Sequence, residues 1–260
     1  PTILMEQVLI QHKVPFDIIF DELADSFGRY QAVILPGQES LSREIIDRLA
    51  DYAEKGGTVV FTGNTADYNQ WRERRQVNPL LELMGLTGLP SEVAVRQLGK
   101  GRLVCIPRIV PNLPGQDRGR ADIDAEDRFV RDATSSGGRP FPSSMWLLPV
   151  NHLEIRSAIV GGLPHSPSIE TGAPLTTVLE LLNREKTRET IVHFVNFERQ
   201  KELGPFRVEL KKQYRSKVRS VSLVSPESDL PQELEFTENG DRVVLTVPGM
   251  QLYTMVVVAY

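Results

Sequence analysis

Apolar residues in the first part of the chain switch repeatedly between helical and strand-like spacing. Leu4, Met5, Val8 and Leu9 recur at the period of a short amphipathic helix starting at Ile3, and Lys13-Val14-Pro15 ends it. Phe16 to Phe20 predicts a strand. Tyr30 to Leu35 is a continuous apolar run closed by Pro36-Gly37, as expected for a strand covered on both faces of a parallel sheet. Ser40 is placed to cap a helix whose apolar face is Leu41, Ile45, Ile46, Leu49, Tyr52 and Ala53, with Gly56-Gly57 as its stop. Thr58 to Thr62 predicts the next buried strand. Gly63-Asn64-Thr65 then turns the chain into a polar helix that ends at Leu80-Leu81-Glu82-Leu83-Met84-Gly85. This β-α-β-α order predicts a doubly wound parallel sheet.

From Arg108 to Met145 the periodicity fails, and Gly, Pro, Asp and Arg mark a long loop. Asn151-His152-Leu153-Glu154 opens a short helix with Ile155, Ala158 and Ile159 facing inward and Gly161-Gly162 as its end. Beyond it the period becomes two, in Thr190 to Asn196, Phe206 to Leu210, Val218 to Leu223, Arg242 to Val247 and Leu252 to Val258. Thr176 to Leu182 fits a helix or a strand by pattern. A strand making a hairpin with 190–196 keeps the series of strands consistent. Glu238-Asn239-Gly240-Asp241 predicts a tight hairpin turn. The expected division is an α/β domain over 1–165, with its long loop at 108–145, and an antiparallel β-sandwich over 166–260.

Several short motifs resemble one family. Val14-Pro15-Phe16-Asp17-Ile18-Ile19, Tyr30 to Pro36, Leu41-Ser42, Tyr52 to Gly63, then Tyr68, Arg72, Arg75 and Leu80 to Gly85 are similar to the middle, trimerisation-type domain of glycoside hydrolase family 42 β-galactosidases. His193 to Phe197 and Val247 to Val257 resemble the C-terminal β-domains of related multidomain glycosidases. The resemblance implies a flavodoxin-like, class I glutamine amidotransferase-like α/β fold without its catalytic cysteine, placed after a sugar-hydrolysing barrel. It implies a non-catalytic accessory and oligomerisation region of a β-galactosidase-like glycoside hydrolase of carbohydrate metabolism. The implied partners are further copies of the chain and an upstream catalytic domain. In that fold a central strand precedes the helix at Ile3, so residues upstream of Pro1 are expected.

Composition narrows the remaining classes. Thirty Lys+Arg against 34 Asp+Glu, interspersed, leave a net charge of −4 and no basic footprint for nucleic acid. The longest apolar runs, such as Met255 to Ala259, fall far short of a bilayer span. A single cysteine, Cys105, excludes an intrachain disulfide framework and fits a reducing, cytoplasmic compartment. No cofactor or metal is implied. Asp122, Asp124, Glu126 and Asp127 lack the glycine of an EF-hand loop and read as a solvated loop, and His193 among apolar neighbours reads as a hydrogen-bonded core or interface histidine.

Retaining sugar hydrolysis needs two carboxylates about 5 Å apart on a rigid scaffold, and nothing here forms the repeats of a catalytic barrel. An amidotransferase-like hydrolase would use Cys105, His152 and Glu154, because His152-x-Glu154 has the base-and-orienter spacing. Against it, Gly63-Asn64-Thr65 stands at the strand-to-helix turn where that fold needs a thiolate, and Asn151 with Glu154 reads as a capping box. Asn64, Tyr68 and Trp71 are the ligand or interface candidates. The two aromatics would serve as assembly anchors or, in a carbohydrate-binding module, as a flat face for a sugar ring.

Overall fold

A computed structural model describes residues 1–112, 147–198 and 202–260. The four acidic positions from Asp122 to Asp127 and most of the 108–145 loop lie outside the described residues. The chain divides into two compact units: Pro1–Val8 with Ile18–Ser166, and Leu9–Asp17 with Pro167–Tyr260.

The first unit is mixed α/β. After α1 (Thr2–Gln11) come a 3-10 helix (Asp21–Arg29), β1 (Ala32–Leu35), α2 (Arg43–Glu54), β2 (Thr58–Thr62), α3 (Pro79–Leu83), β3 (Ala94–Leu98), β4 (Gly101–Ile106) and α4 (His152–Gly162). The strands form one sheet in the order β1-β2-β4-β3. β1, β2 and β4 are parallel, with Val33 beside Val59 and Val60 beside Val104. β3 runs antiparallel to β4 through the Gly99-Lys100 turn, so the sheet is mixed rather than wholly parallel.

Alternation assigns the two faces. Val33, Leu35, Val59, Phe61, Leu103 and Cys105 share a core with Ile46, Leu49, Tyr52 and Ala53 of α2. Val60, Val104 and Ile106 point the other way and are fully buried, as are Ile155 and Ile159 of α4. On that face the Thr58 hydroxyl donates to Gly162 O at 2.6 Å, and a Cβ added at Gly162 would touch Thr58 and Val104 at 3.2 and 3.3 Å. Burial on both faces explains why β2 and β4 read as unbroken apolar runs.

Four expectations change. Phe16 to Phe20 forms no strand: residues 14–20 are irregular, and Phe16, Ile18 and Phe20 are exposed. A strand needs a ladder partner for its amides, and β1 pairs only with β2 among the described residues. The helix after β2 shrinks to α3, because side-chain bonds from Asn69 and Asn78 hold 67–78 in turns. The cap of α2 is Ser42 rather than Ser40, with the Ser42 hydroxyl accepting from Ile45 N at 3.2 Å. Asn151 makes no capping bond to α4. Its side chain instead accepts from Val110 N and donates to Arg108 O, both at 2.9 Å, and so anchors the segment after β4.

The second unit contains two antiparallel sheets, β10-β9-β13-β7-β6 and β11-β12-β8-β5. These are β5 (Ile169–Thr171), β6 (Thr177–Arg184), β7 (Glu189–Asn196), β8 (Phe206–Lys211), β9 (Ser220–Val224), β10 (Gln232–Glu233), β11 (Phe236–Asn239), β12 (Arg242–Val247) and β13 (Tyr253–Ala259). Val192, Phe194, Val221, Val256 and Val258 from the first sheet share a core with Val208, Leu210, Val243, Leu245 and Val247 from the second. Thr176 to Leu182 resolves as β6, paired with β7 from Thr177–Asn196 to Arg184–Glu189. The β11–β12 turn centres on Gly240 and Asp241, with Gly240 at φ 60° and Asn239 still paired to Arg242. Among the described residues no helix is long and apolar enough to cross a membrane.

Candidate assembly site at the carboxyl ends of the strands

β1 and β2 end side by side, and the loops that leave them are stitched together by one buried hydroxyl. Thr65 is fully buried; its Oγ1 lies 2.6 Å from Thr62 O and 3.0 Å from Leu35 O, and accepts from Gly37 N at 3.2 Å. Backbone bonds extend the seam: Ala66 N donates to Gln38 O, and Tyr68 N to Glu39 O, both at 2.9 Å. Asn64 lies in the bend after β2, as the sequence implies, but it carries no unusual φ. Gly63 (φ 55°) and Ala66 (φ 67°) absorb the left-handed turns instead.

Sequence reasoning overlooked Glu39, which links the candidates. Asn64 Nδ2 donates to its carboxylate, Tyr68 N to its carbonyl, and Arg72 approaches its other oxygen at 3.8 Å. No motif marks an isolated Glu after a strand, so only the fold reveals this role. Tyr68 is half-buried and its backbone bridges to Ser40 and Arg74.

Trp71 stands at the tip of a small, closed loop. Asn69 Oδ1 accepts from Trp71 N at 3.0 Å and Glu73 N at 2.9 Å, its Nδ2 donates to Glu73 Oε2 at 2.8 Å, and Asn69 N donates to Glu73 O at 2.9 Å. Arg72 at φ 61° completes the turn. The base is pinned by Arg75 Nη2 to Leu41 O (2.7 Å) and by Asn78, which donates to Thr65 O and Asp67 Oδ1 while capping α3 through Leu80 N and Leu81 N. These bonds present Trp71 with 73% of its surface exposed. A large aromatic held on a rigid loop is the usual form of an interface anchor.

The catalytic alternative finds no support. Cys105 is fully buried in β4, and burial pushes its thiol up to about 11, so no thiolate is present at neutral pH. Glu154 is exposed on α4. His193 is half-buried with its Nδ1 2.6 Å from the Tyr253 hydroxyl. Among the described residues no group of His, Cys, Asp and Glu could hold a metal ion.

Comparison with known proteins points the same way. Residues 7–96 match the family described as the β-galactosidase trimerisation domain, a stretch that includes Glu39, Asn64, Tyr68 and Trp71. No curated protein matches the sequence. Among solved structures, α-L-fucosidase isoenzyme 2 from Paenibacillus thiaminolyticus superposes with a TM-score of 0.57 at 18% identity, over 99% of this chain and 44% of that one. Gan42B, a GH42 β-galactosidase from G. stearothermophilus, gives 0.55 at 15% identity over 99% and 35%. The β-galactosidase from Bacillus circulans sp. alkalophilus gives 0.57 at 10% identity over 98% and 37%. At these identities the superpositions establish likeness of fold. The chain spans less than half the length of these three proteins. The resemblance read from Val14 to Gly85 therefore stands: residues 7–96 match the glycoside hydrolase family 42 β-galactosidase trimerisation domain, and an antiparallel β-domain follows in the same chain.

Proposed function

We propose that this chain is the non-catalytic assembly region of a β-galactosidase-like glycoside hydrolase, holding copies of a larger polypeptide together around an active site that lies elsewhere. The family match over 7–96 carries this reading. The exposed, rigidly held Trp71 supports it, as does the absence of an activated nucleophile at Cys105. The first unit is read as an amidotransferase-like, flavodoxin-like domain, the sandwich as its C-terminal companion, and an upstream catalytic domain as its covalent partner.

A strand preceding α1 belongs to the same proposal. Pro1 packs on Gly37 at the carboxyl end of β1, where an added Cβ would come within 2.8 Å of its ring, and the Thr2 hydroxyl is 3.5 Å from Pro36 O. A parallel strand laid along the outer edge of β1 would finish at that point and lead directly into α1.

Two measurements test the reading. The purified chain should hydrolyse neither aryl β-galactosides nor glutamine, and turnover lost on Cys105→Ser would overturn the non-catalytic assignment. Light scattering should give a mass above that of one chain, and a longer polypeptide containing this region should give one too. A strictly monomeric longer polypeptide would refute the assembly role.

A further inference from the structure

One end of the second unit gathers cations. The β6–β7 turn and the β8–β9 connection meet there around the end of β13: Tyr260 N donates to Arg188 O at 3.0 Å, and Arg219 N donates to Ala259 O at 2.8 Å. The Arg188 guanidinium lies over the Tyr214 ring, with Cζ 5.3 Å from the ring centre, and its Nη2 donates to Ser216 Oγ at 2.9 Å. Ser216 stands between Arg215 and Lys217 in the chain, so that bond draws three cations together. Tyr214 meets Tyr260 edge-on with ring centres 5.1 Å apart, which packs the base of the cluster. Arg188, Arg215, Lys217 and Arg219 are all exposed. The acidic groups at this end are Glu185, Glu189, Glu238 and Asp241. Glu189 accepts from Thr187 Oγ1 and lies 3.9 Å from Arg184. Glu238 accepts from Lys212 Nζ at 2.7 Å and from Val218 N at 3.3 Å, and so offsets Lys212 and part of Lys217. Asp241 follows on the β11–β12 turn, where its carbonyl accepts from Lys212 N. Arg188, Arg215 and Arg219 form no ion pair with a described residue. In a chain of net charge −4 this is a local positive field.

We infer that this end of the sandwich binds an acidic polysaccharide, with Arg188, Arg215, Lys217 and Arg219 taking carboxylate or sulfate groups along the sugar chain. Guanidinium groups donate in a planar fork that suits such oxyanions. Arg188 is already held on Tyr214 and Ser216, so it loses little freedom when a ligand arrives. The choice of a sugar polymer rests on the proposed place of this chain in a glycoside hydrolase; the gathering of cations does not. Other polyanions fit less well. A single strand of nucleic acid needs an open aromatic face on which bases stack, and the Tyr214 ring is covered by Arg188 and met by Tyr260. A membrane surface needs apolar side chains to insert, and Val218, the one aliphatic residue of the two connections, is buried.

Biolayer interferometry on immobilised polygalacturonate, dextran sulfate and neutral dextran, at about 0.15 M salt, tests the site. Wild type should bind at least one of the two acidic polymers and not neutral dextran, and the two acidic surfaces separate carboxylate from sulfate recognition. Arg215→Glu with Lys217→Glu and Arg219→Glu should bind about tenfold or more weakly. Arg29→Glu with Lys100→Glu and Arg156→Glu changes the net charge equally at exposed positions of the first unit, and should bind as wild type does. Circular dichroism with thermal melting will confirm that each variant folds. If the first triple variant does not fold, Arg215→Gln with Lys217→Gln takes its place and should lose about threefold or more. Binding to neither acidic polymer, or an equal loss in the two triple variants, overturns the inference. So does tighter binding to duplex DNA, or to phosphatidylcholine vesicles containing phosphatidylserine, than to both acidic polymers. None of these outcomes bears on assembly, which is read separately from the mass of the wild type and of the longer polypeptide.

Discussion

Lys13 follows α1 in the left-handed region at φ 56°, and its side chain turns inward until the residue is only 6% exposed. Its ammonium donates to Gln11 O at 2.8 Å and to Pro174 O, within the unit that joins Leu9–Asp17 to Pro167–Tyr260. Burial lowers its pKa from 10.5 to about 8. Between those values the unfolded chain holds a proton that the folded chain has released, so the contribution of Lys13 to stability rises with pH across that window. Cys105 and Tyr52, pushed up to about 11 and about 12, act in the opposite sense at high pH. The difference between wild type and Lys13→Met isolates the lysine. Urea midpoints should therefore shift in favour of wild type as pH rises from 8 to 10, and a difference that does not change with pH would contradict the buried-lysine account. Gly101 offers a second residue-scale test. A Cβ there would lie 2.0 Å from Gly57 O and 2.4 Å from Ala53 O, both backbone atoms that cannot rotate away. Gly101→Ala should cost about 3 kcal/mol or more in urea unfolding, or prevent folding.

Elements that bury a continuous face were legible; elements that depend on a neighbour or on side-chain bonds were not. α2, β2 and the strands β7, β8, β9, β12 and β13 carry their period in their own residues, whereas the short β10 and β11 gave no signal of their own. Phe16 to Phe20 has the apolar content of a strand but makes no ladder with any described strand, so the pattern alone was insufficient. β3 was missed because its residues are mostly exposed at the sheet edge and gave no apolar signal. The stretch 65–78 has helix-compatible polar composition, yet Asn69 and Asn78 offer the backbone competing bonds that close turns instead. At the site, Trp71 was visible as an unplaced aromatic, whereas Glu39 acquired its role only once β1 and β2 lay side by side. Two substitutions probe these devices. Asn78→Ala removes the α3 cap and two loop bonds together, and should cost about 2 kcal/mol by chemical denaturation. Asn69→Ala should leave global stability within about 1 kcal/mol of wild type. It should also weaken self-association, because the loop would have to be ordered on binding. Unaltered association would show that preorganisation of Trp71 is irrelevant.

For the whole molecule, the account separates assembly from chemistry. The chain contributes an α/β unit whose β1 and β2 loops present Trp71, followed by a sandwich with its own core. The single cysteine, Cys105, is buried in β4 and its thiol is pushed up to about 11, so it is not an activated nucleophile. The most direct test is the molar mass of Trp71→Ala beside wild type, measured by light scattering at matched concentrations, with circular dichroism recorded on the same samples. The account predicts a wild type heavier than one chain and a Trp71→Ala variant shifted towards the single-chain mass, with identical spectra. A variant that keeps the full wild-type mass would contradict the claim that this exposed aromatic anchors the assembly.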